Sequence, residues 1–502
     1  MKCIGSFFSN HWQALPACLT AILFIFYYTL HSGIGISPDS VVYASVADNL
    51  KEHFVARDFN GSPMVDFPLG YPGILALLSV ITQTSVLKLA PVLNIILFCT
   101  AILLTSAVLN RYTRQSSLYK LALLLLLACS PCLLEVYAML WSETVFICWG
   151  LLFLLLAHNY LRAPNTRSLL WMGICCSLAM ITRYAGISLI VTGGWLILMH
   201  GDLNAKQKIK QLLLFGVTAA VLPALNLARN LYVHNSLTGV RQKALRSFWQ
   251  NMEGMAAVFS EWFPFLAGHE PAALLLVIVL LSGALCFLIF RVLQQQYYSG
   301  MGTVVAGFSF VYFSFMLLIA SISRFEELSS RLLSPAYIPL LLMSTHWLVP
   351  FIQNRLAKWR PWLVIPALAL YAAIIHHQYK LNAEAWEGVK DAGMPGYTED
   401  SWTQSPTVAY LKTQNLPFAY PVYANANDAV YFLTGQYAKP LPHKEIPSEV
   451  EQLQQKQNFY LVWFNDGVNN DLLSLDYLLQ QRKVLEIHEF EDGAVYLFGA
   501  EQ

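Results

Sequence analysis

Two carboxylates stand where apolar segments of the chain meet polar ones. Asp39 lies shortly after the first apolar run, in the stretch ISPDSVVYASVADNL, and Glu143 begins a later apolar run. A carboxylate at a membrane surface is costly to desolvate and marks a candidate functional site. Two such groups on one face of a membrane can act as a general base and a second acid, or as metal ligands. Helix capping is the alternative, by Asp39 itself before Ser40 and by Ser142 before Glu143.

Three arginines lie at the ends of apolar runs. Arg183 separates two such runs, Arg331 opens the stretch RLLSPAYIPLLL, and Arg324 lies in the short connection before it. A guanidinium group can bind a phosphate through two parallel charged hydrogen bonds, which suits a lipid phosphate at the membrane surface. The alternative for Arg183 and Arg331 is a side chain that snorkels to the interface. For Arg324 the alternative is an ordinary solvated charge.

The composition explains why these charges stand out. The 502 residues are 56% hydrophobic and only 12% charged, with a mean hydropathy of +0.49. Soluble chains are about a quarter charged, so this composition predicts many membrane spans. The net charge of +1 gives no reason to expect nucleic acid as a partner. None of the nine cysteines follows residue 378, so the C-terminal region has no disulfide framework.

A spanning helix needs about 20 apolar residues. The apolar runs predict about eleven spans, at residues 13–33, 88–109, 117–134, 141–161, 168–183, 185–200, 211–228, 271–291, 301–322, 332–352 and 361–378. The short run 71–85 either crosses the membrane or lies at its surface. Placing it outside leaves the lysine and arginine clusters in cytoplasmic loops, as membrane proteins prefer. We therefore expect a cytoplasmic N-terminus and an extracytoplasmic C-terminal region.

This pattern predicts two domains and one surface helix. Residues 1–378 form the membrane domain, and residues 379–502 form a small extracytoplasmic α/β domain, since hydropathy falls and short β-rich runs appear. A helix opens at Ser405-Pro406, and strands are expected near 418–423, 459–464, 483–490 and 494–498. Residues 40–54 carry apolar residues at helical spacing and are expected to lie on the membrane.

The order of these segments resembles the polytopic GT-C glycosyltransferases, in particular protein O-mannosyltransferases and aminoarabinose-transferase-like bacterial proteins. The first external loop of those proteins has an aspartate, a tyrosine and a Pro-x-Tyr-Pro segment, with later acidic and arginine positions. The matching residues here are Asp39 and Tyr43 in SPDSVVYASVADNL, Tyr71 in FPLGYPGILALLS, Glu143 in EVYAMLWSETV, Arg183 in TRYAGISLI and Arg331 in RLLSPAYIPLLL. The resemblance covers residues 10–375.

The resemblance implies an enzyme that moves a sugar from a polyprenyl-phosphate donor to an acceptor hydroxyl, with inversion. Asp39 would be the general base, Glu143 would position the acceptor or a cation, and Arg331 with Arg183 would hold the lipid phosphate. Tyr43, Tyr71 and Arg324 complete the substrate-binding candidates. The acceptor is a glycan, a lipid or a protein. No cofactor is assigned, and a divalent cation stays open, because no extra acidic or histidine ligands accompany Asp39.

Two other functions fit an inner-membrane, multi-pass chain. A transporter or flippase of lipid-linked sugars would show paired repeats with helices broken near mid-membrane. The sequence has one break of this kind, at Arg183-Tyr184, and no matching partner. A non-catalytic membrane scaffold would leave Asp39, Glu143 and Arg331 without a common purpose. The sequence therefore favours a glycosyltransferase.

Overall fold

The computed structural model describes residues 11–111, 117–239, 241–293, 300–324, 326–354, 360–414, 419–466 and 469–501. Long helices dominate the first three quarters of the chain. In chain order they are α1 (Ala14–Tyr28), α2 (Pro38–His53), α3 (Gly70–Thr82), α4 (Val86–Leu109), α5 (Ser117–Ala128), α6 (Pro131–Ala138), α7 (Glu143–Arg162), α8 (Thr166–Thr182), α9 (Ile187–Leu198), α10 (Ala205–His234), α11 (Phe248–Trp262), α12 (Glu270–Leu293), α13 (Met301–Ile322), α14 (Ser330–Asn354) and α15 (Arg360–Ala392).

Several of these helices can cross a membrane. Within the described residues, α4, α7, α10, α12 and α13 are long and apolar enough, and α5 with α6 makes a sixth candidate bent by 51°. The bend breaks the predicted span 117–134. Helix α3 has 13 residues, which is short of a full span. The helices confirm the predicted class, a polytopic α-helical membrane protein with a small C-terminal α/β region.

The long connection between α10 and α12 contains a helix that was not predicted. Helix α11 opens with a capping box, in which Ser247 Oγ accepts from the Gln250 N–H (3.3 Å) and Gln250 Oε1 accepts from the Ser247 N–H (2.8 Å). The sequence signal for it, a serine followed three residues later by glutamine, is present in SFWQ.

The C-terminal region is a mixed five-stranded sheet with helices. Its strands are β1 (Val422–Ala424), β2 (Lys439–Pro440), β3 (Phe459–Phe464), β4 (Arg482–Phe490) and β5 (Gly493–Glu501), in the spatial order β2-β1-β3-β5-β4. The pairs β1–β2 and β1–β3 are parallel, whereas β3–β5 and β4–β5 are antiparallel. All six residues of β3 are buried, so its alternating side chains contribute to the cores on both faces.

The helices of this region are α16 (Asp400–Thr403), α17 (Pro406–Thr413), α18 (Asn427–Thr434), α19 (Pro447–Gln454) and α20 (Leu475–Gln481). The first predicted strand begins at residue 418, which lies outside the described residues.

The chain divides into two compact units. The first comprises Met1–Tyr27, Met64–Ile74 and Leu89–Glu387, and the second comprises Tyr28–Pro63, Leu75–Lys88 and Gly388–Gln502. Helix α15 continues through residue 378, so the domain boundary expected there falls inside a helix. In the second unit α2 packs against α18 and buries Val41, Val46 and Ala47, so part of its apolar surface is covered by protein.

Candidate active site

Glu143 is the centre of a buried ion cluster in the first unit. Its Oε2 lies 2.6 Å from Arg183 Nη1, and its Oε1 lies 2.7 Å from Arg331 Nε. The Glu143 side chain is 0% exposed, and the Arg183 and Arg331 side chains are 14% and 11% exposed. Ser142 Oγ also accepts a hydrogen bond from Arg183 Nη1 at 2.9 Å. The three charged residues are called the Glu143 cluster below.

A tight turn after α8 places Arg183 in the Glu143 cluster. Helix α8 ends at Thr182, and Arg183 adopts an extended backbone before the short 3-10 turn Tyr184–Gly186. A side chain at Gly186 would place its Cβ 2.5 Å from Met180 Cα, so glycine is required for this close turn. The predicted break at Arg183-Tyr184 is therefore a real interruption between two short helices.

Aromatic side chains hold the first turn of α14, which carries Arg331. The Arg331 guanidinium lies over the Trp141 ring, 4.4 Å from the ring centroid. The Trp262 indole N–H donates to Ser330 Oγ at 2.8 Å, and the Trp262 ring packs edge-on against Tyr337 on the next turns of α14. Because a planar guanidinium can stack and donate at the same time, arginine suits this position better than lysine.

The contacts of the Glu143 cluster show what Ser142 and Arg331 bind. Ser142 precedes α7 without a side-chain capping bond, because its hydroxyl contacts Arg183 and Glu143 instead. The Arg331 side chain is 11% exposed and is paired with Glu143, so its charge is balanced by a carboxylate. The three residues of the Glu143 cluster carry two guanidinium groups and one carboxylate, so the cluster itself has a net charge of +1 and can attract an anion.

Two further carboxyl groups, of which Glu135 interacts with Arg331, were not among the predicted site residues. Glu135 on α6 interacts electrostatically with Arg331 and with Glu261 on α11. Burial raises the pKa of the Glu261 carboxyl above its usual value. The signal for Glu135 was available, because an acidic residue inside an apolar run is costly and marks a functional candidate. Glu261 lies on the unpredicted helix α11, so its neighbourhood could not be inferred.

The other predicted residues belong to α2, α3 and the connection before α14. Asp39 and Tyr43 belong to the second unit, in the first two turns of α2, where Tyr43 is buried and Asp39 is half-buried. The N-cap of α2 is Ser37, whose N–H donates to Ser40 Oγ (3.1 Å), so Asp39 does not cap the helix. Tyr71 is fully buried in the first turn of α3.

Arg324 lies in the connection before α14, and its backbone N–H donates to the Gln242 carbonyl at 2.8 Å. The neighbouring Glu327 pairs with Arg246 at 2.6 Å, with side chains 62% and 44% exposed. This second ion pair is as short as those of Glu143, but both of its side chains are exposed to solvent. Glu327 is thus a solvated charge.

The donor atoms near Glu143 do not suit a divalent cation. Both carboxylate oxygens accept from arginine, and a cation beside two guanidinium groups would be repelled. Among the described residues, no three His, Cys, Asp or Glu side chains are grouped so that they could hold a metal ion.

An apolar cavity of about 420 Å³ lies in the first unit between α12, α13 and α14. Phenylalanine and aliphatic side chains line it, among them Phe263, Phe265, Phe287, Ala306 and Leu340. Leu340 follows Arg331 by nine residues on α14, a rise of about 14 Å along the helix. Helix α14 therefore contributes residues to both the cavity and the Glu143 cluster.

Solved structures of other proteins share this arrangement of helices. ArnT from Cupriavidus metallidurans in the apo state is 13% identical, covers 96% of this chain and 97% of its own, and superimposes with a TM-score of 0.51. The oligosaccharyltransferase of Archaeoglobus fulgidus, solved with zinc and sulfate, is 14% identical, with 90% and 68% coverage and a TM-score of 0.52. These proteins are GT-C glycosyltransferases. This chain has the GT-C fold.

A third structure with the GT-C fold agrees with this assignment. It is the AglB oligosaccharyltransferase of Archaeoglobus fulgidus in complex with an inhibitory peptide and a dolichol-phosphate, at 11% identity, 91% and 70% coverage and a TM-score of 0.50. No protein-family model matches the chain, and the sequence of no curated protein does. The GT-C resemblance seen in the sequence motifs is confirmed at the level of the fold.

Proposed function

We propose that this protein is a glycosyltransferase that moves a sugar from a polyprenyl-phosphate donor to an acceptor hydroxyl on the extracytoplasmic face of the cell membrane, with inversion. The observation that carries the proposal is the Glu143 cluster, in which Arg183 from the turn after α8 and Arg331 from α14 converge on one buried carboxylate within a GT-C fold. The AglB structure supports a donor of this class, because a dolichol-phosphate is bound to a protein of the same fold.

The donor is held by charge at one end and by apolar contact at the other. Arg331 and Arg183 supply the cations for the phosphate, and they stabilise the negative charge that grows on it as the sugar leaves. The apolar cavity between α12, α13 and α14 accepts part of the prenyl chain, because its lining offers hydrocarbon contacts. This placement puts the phosphate near the start of α14 and the hydrocarbon further along the same helix.

The reaction is a single displacement at the anomeric carbon of the sugar. The acceptor oxygen forms the new bond to that carbon while the bond from the carbon to the phosphate oxygen breaks. Asp39 takes the proton of the acceptor hydroxyl, and polyprenyl phosphate leaves with the electron pair. Attack from the side opposite the phosphate inverts the configuration.

Glu143 has a positioning role in this proposal. Both of its oxygens contact arginine, so it orients the two guanidinium groups before the donor binds. This role differs from the one implied by the family resemblance, in which Glu143 would hold the acceptor or a cation. Glu135 and Glu261 are the candidates for contact with the acceptor or the sugar, because they lie within electrostatic range of Arg331 or of each other.

The test uses cells whose own gene for this protein has been deleted. Complementation with the wild-type chain should restore one sugar on the acceptor glycan, lipid or protein, measured by mass spectrometry. Asp39→Asn should leave the protein folded, abolish this sugar and cause the polyprenyl-phosphate sugar to accumulate. Asp48→Asn is the matched control, because Asp48 is an exposed aspartate on the same helix.

Normal transfer by Asp39→Asn would overturn the assignment of the base. Movement of a labelled lipid-linked sugar across vesicles containing the purified protein, with no new glycosidic bond, would show a flippase instead.

A further inference from the structure

Within the second unit, hydrogen bonds connect the C-terminal region to the residues before α2, the helix that carries the predicted base Asp39. The segment after α15 lies against the residues that lead into α2: the Tyr397 N–H donates to the Ile36 carbonyl at 2.8 Å, and the Met394 N–H donates to Ser32 Oγ at 2.8 Å. Gly396 has a φ of +101°, and a Cβ there would lie 2.2 Å from the Ile36 oxygen. Because glycine has no Cβ, the two backbones can come into contact at Ile36, which lies three residues before Asp39.

The side chain of Tyr397 makes a second connection. Its hydroxyl donates to Asp428 Oδ2 at 2.9 Å, and its ring packs edge-on against Trp402, 5.0 Å between centroids. Asp428 lies in the first turn of α18, the helix on which α2 packs. One tyrosine thus bonds to the segment before Asp39 through its backbone and to a carboxylate of the C-terminal region through its side chain.

Asp428 lies close enough to Asp39 for the two charges to interact. Burial raises the pKa of the Asp428 carboxyl, and the negative charge of Asp39 raises it further, while the Tyr397 hydroxyl and the helix backbone partly oppose this shift. A stacked pair, Phe59 on Tyr431 with 4.8 Å between ring centroids, fixes the segment after α2 to the same helix α18. The C-terminal region therefore holds α2 from both of its ends.

We propose that Tyr397 and Asp428 are positioning residues for Asp39, through which the C-terminal region holds the first turn of α2 in the orientation needed for catalysis. The inference rests on the proposed function, because it takes Asp39 as the base. Tyr397 fixes the backbone that precedes Asp39, and its hydroxyl bonds to Asp428 on α18, the helix against which α2 packs. A base must lie within hydrogen-bond reach of its proton, so a fixed orientation matters for the rate.

The experiment compares the full-length wild type with Tyr397→Phe and Asp428→Asn. Tyr410→Phe is the matched control, because Tyr410 lies in the same region and its ring packs on Phe490 and His488. Hydrogen exchange of residues 34–46, measured by mass spectrometry, reports the order of the first turns of α2. Transfer kinetics with the lipid-linked sugar report kcat and the KM for the donor.

We expect both variants to exchange faster than wild type in residues 34–46 and to lose about 10- to 100-fold in kcat, because a displacement of about 1 Å can cost that much. The donor KM should stay unchanged, and hydrogen exchange outside residues 34–46 should match the wild type, which a general loss of folding would not produce. Tyr410→Phe should match the wild type in every measurement.

Unchanged exchange or unchanged kcat in Tyr397→Phe, with an active wild type, would overturn the inference and leave the proposed function standing. A wild-type protein that forms no glycosidic bond would overturn the proposed function, and the inference with it.

Discussion

Replacing Glu143 by glutamine tests whether the Glu143 cluster is as tightly coupled as its geometry indicates. The substitution keeps the shape of the side chain and removes its charge. Two guanidinium groups that now lie 2.6 and 2.7 Å from a carboxylate would then be buried against a neutral amide. Removing one partner of a buried ion pair costs about 3–5 kcal/mol, because the remaining charge stays desolvated.

The chain supplies a matched control in Glu327. Its pair with Arg246 is equally short, at 2.6 Å, but both side chains are largely exposed. An exposed pair contributes at most about 1 kcal/mol. Glu327→Gln should therefore change stability by less than about 1 kcal/mol, so the two identical substitutions should differ by at least about 2 kcal/mol.

The assay is urea unfolding of each variant in detergent micelles, followed by tryptophan fluorescence. A double variant, Glu143→Gln with Arg183→Gln, should lose less than the sum of the two single losses, because it removes a charge together with its partner. If Glu143→Gln costs no more than Glu327→Gln, the Glu143 cluster is solvated in the folded protein. The proposed role of Glu143 in orienting the arginines would then be wrong.

Three further predictions follow from the structure. Arg331→Lys should lower transfer at least about tenfold without unfolding the protein, since lysine cannot both stack on Trp141 and present a planar fork; Arg246→Lys serves as the control, and equal activity of the two variants would contradict the role of Arg331. Burial raises the pKa of the Asp66 carboxyl above 3.8, against weaker effects of Arg241 and His234, so the folded state binds this proton more tightly than the unfolded state. The free energy of unfolding should therefore fall as pH rises from 3.8 through the raised pKa, and urea titrations of Asp66→Asn should lack this decline; an identical pH dependence in the variant would refute it. Gly396→Ala should destabilise the protein far more than Gly435→Ala, because only the Cβ at position 396 would meet a carbonyl oxygen. Gly435→Ala should cost about 1–2 kcal/mol, since the φ of residue 435 is positive. Equal melting temperatures of the two variants would contradict the contact with Ile36.

Local patterns in the sequence were enough to place most of the elements. The strand β3 and helix α13 have the bounds that the apolar runs predicted, and α17 begins after Ser405 as its serine-proline signal indicated. Hydropathy and capping depend on neighbouring residues, so they can be read from a single sequence. The break inside the predicted span 117–134 was missed, although Ser130-Pro131 marks it, because the apolar run continues on both sides.

The site could be predicted only in part. Glu143, Arg183 and Arg331 were each identified as candidates, but their direct contact depends on how α7, the turn after α8 and the distant helix α14 pack together. The sequence contains no local signal for such a contact, and it led to a role for Glu143 in holding a substrate or a cation. The contact of Tyr397 with Ile36 was also missed, because it joins two regions that were expected to form separate domains.

The most direct test of the proposed function is a cryo-electron microscopy structure of the full-length protein with a non-hydrolysable polyprenyl-phosphate sugar. We expect the phosphate to contact the Arg331 guanidinium, the prenyl chain to enter the cavity lined by Phe265 and Leu340, and Asp39 to face the anomeric carbon across a gap that admits one hydroxyl group. A structure in which Asp39 and Arg331 lie on opposite sides of the membrane, or are separated by packed apolar side chains, would contradict the proposal.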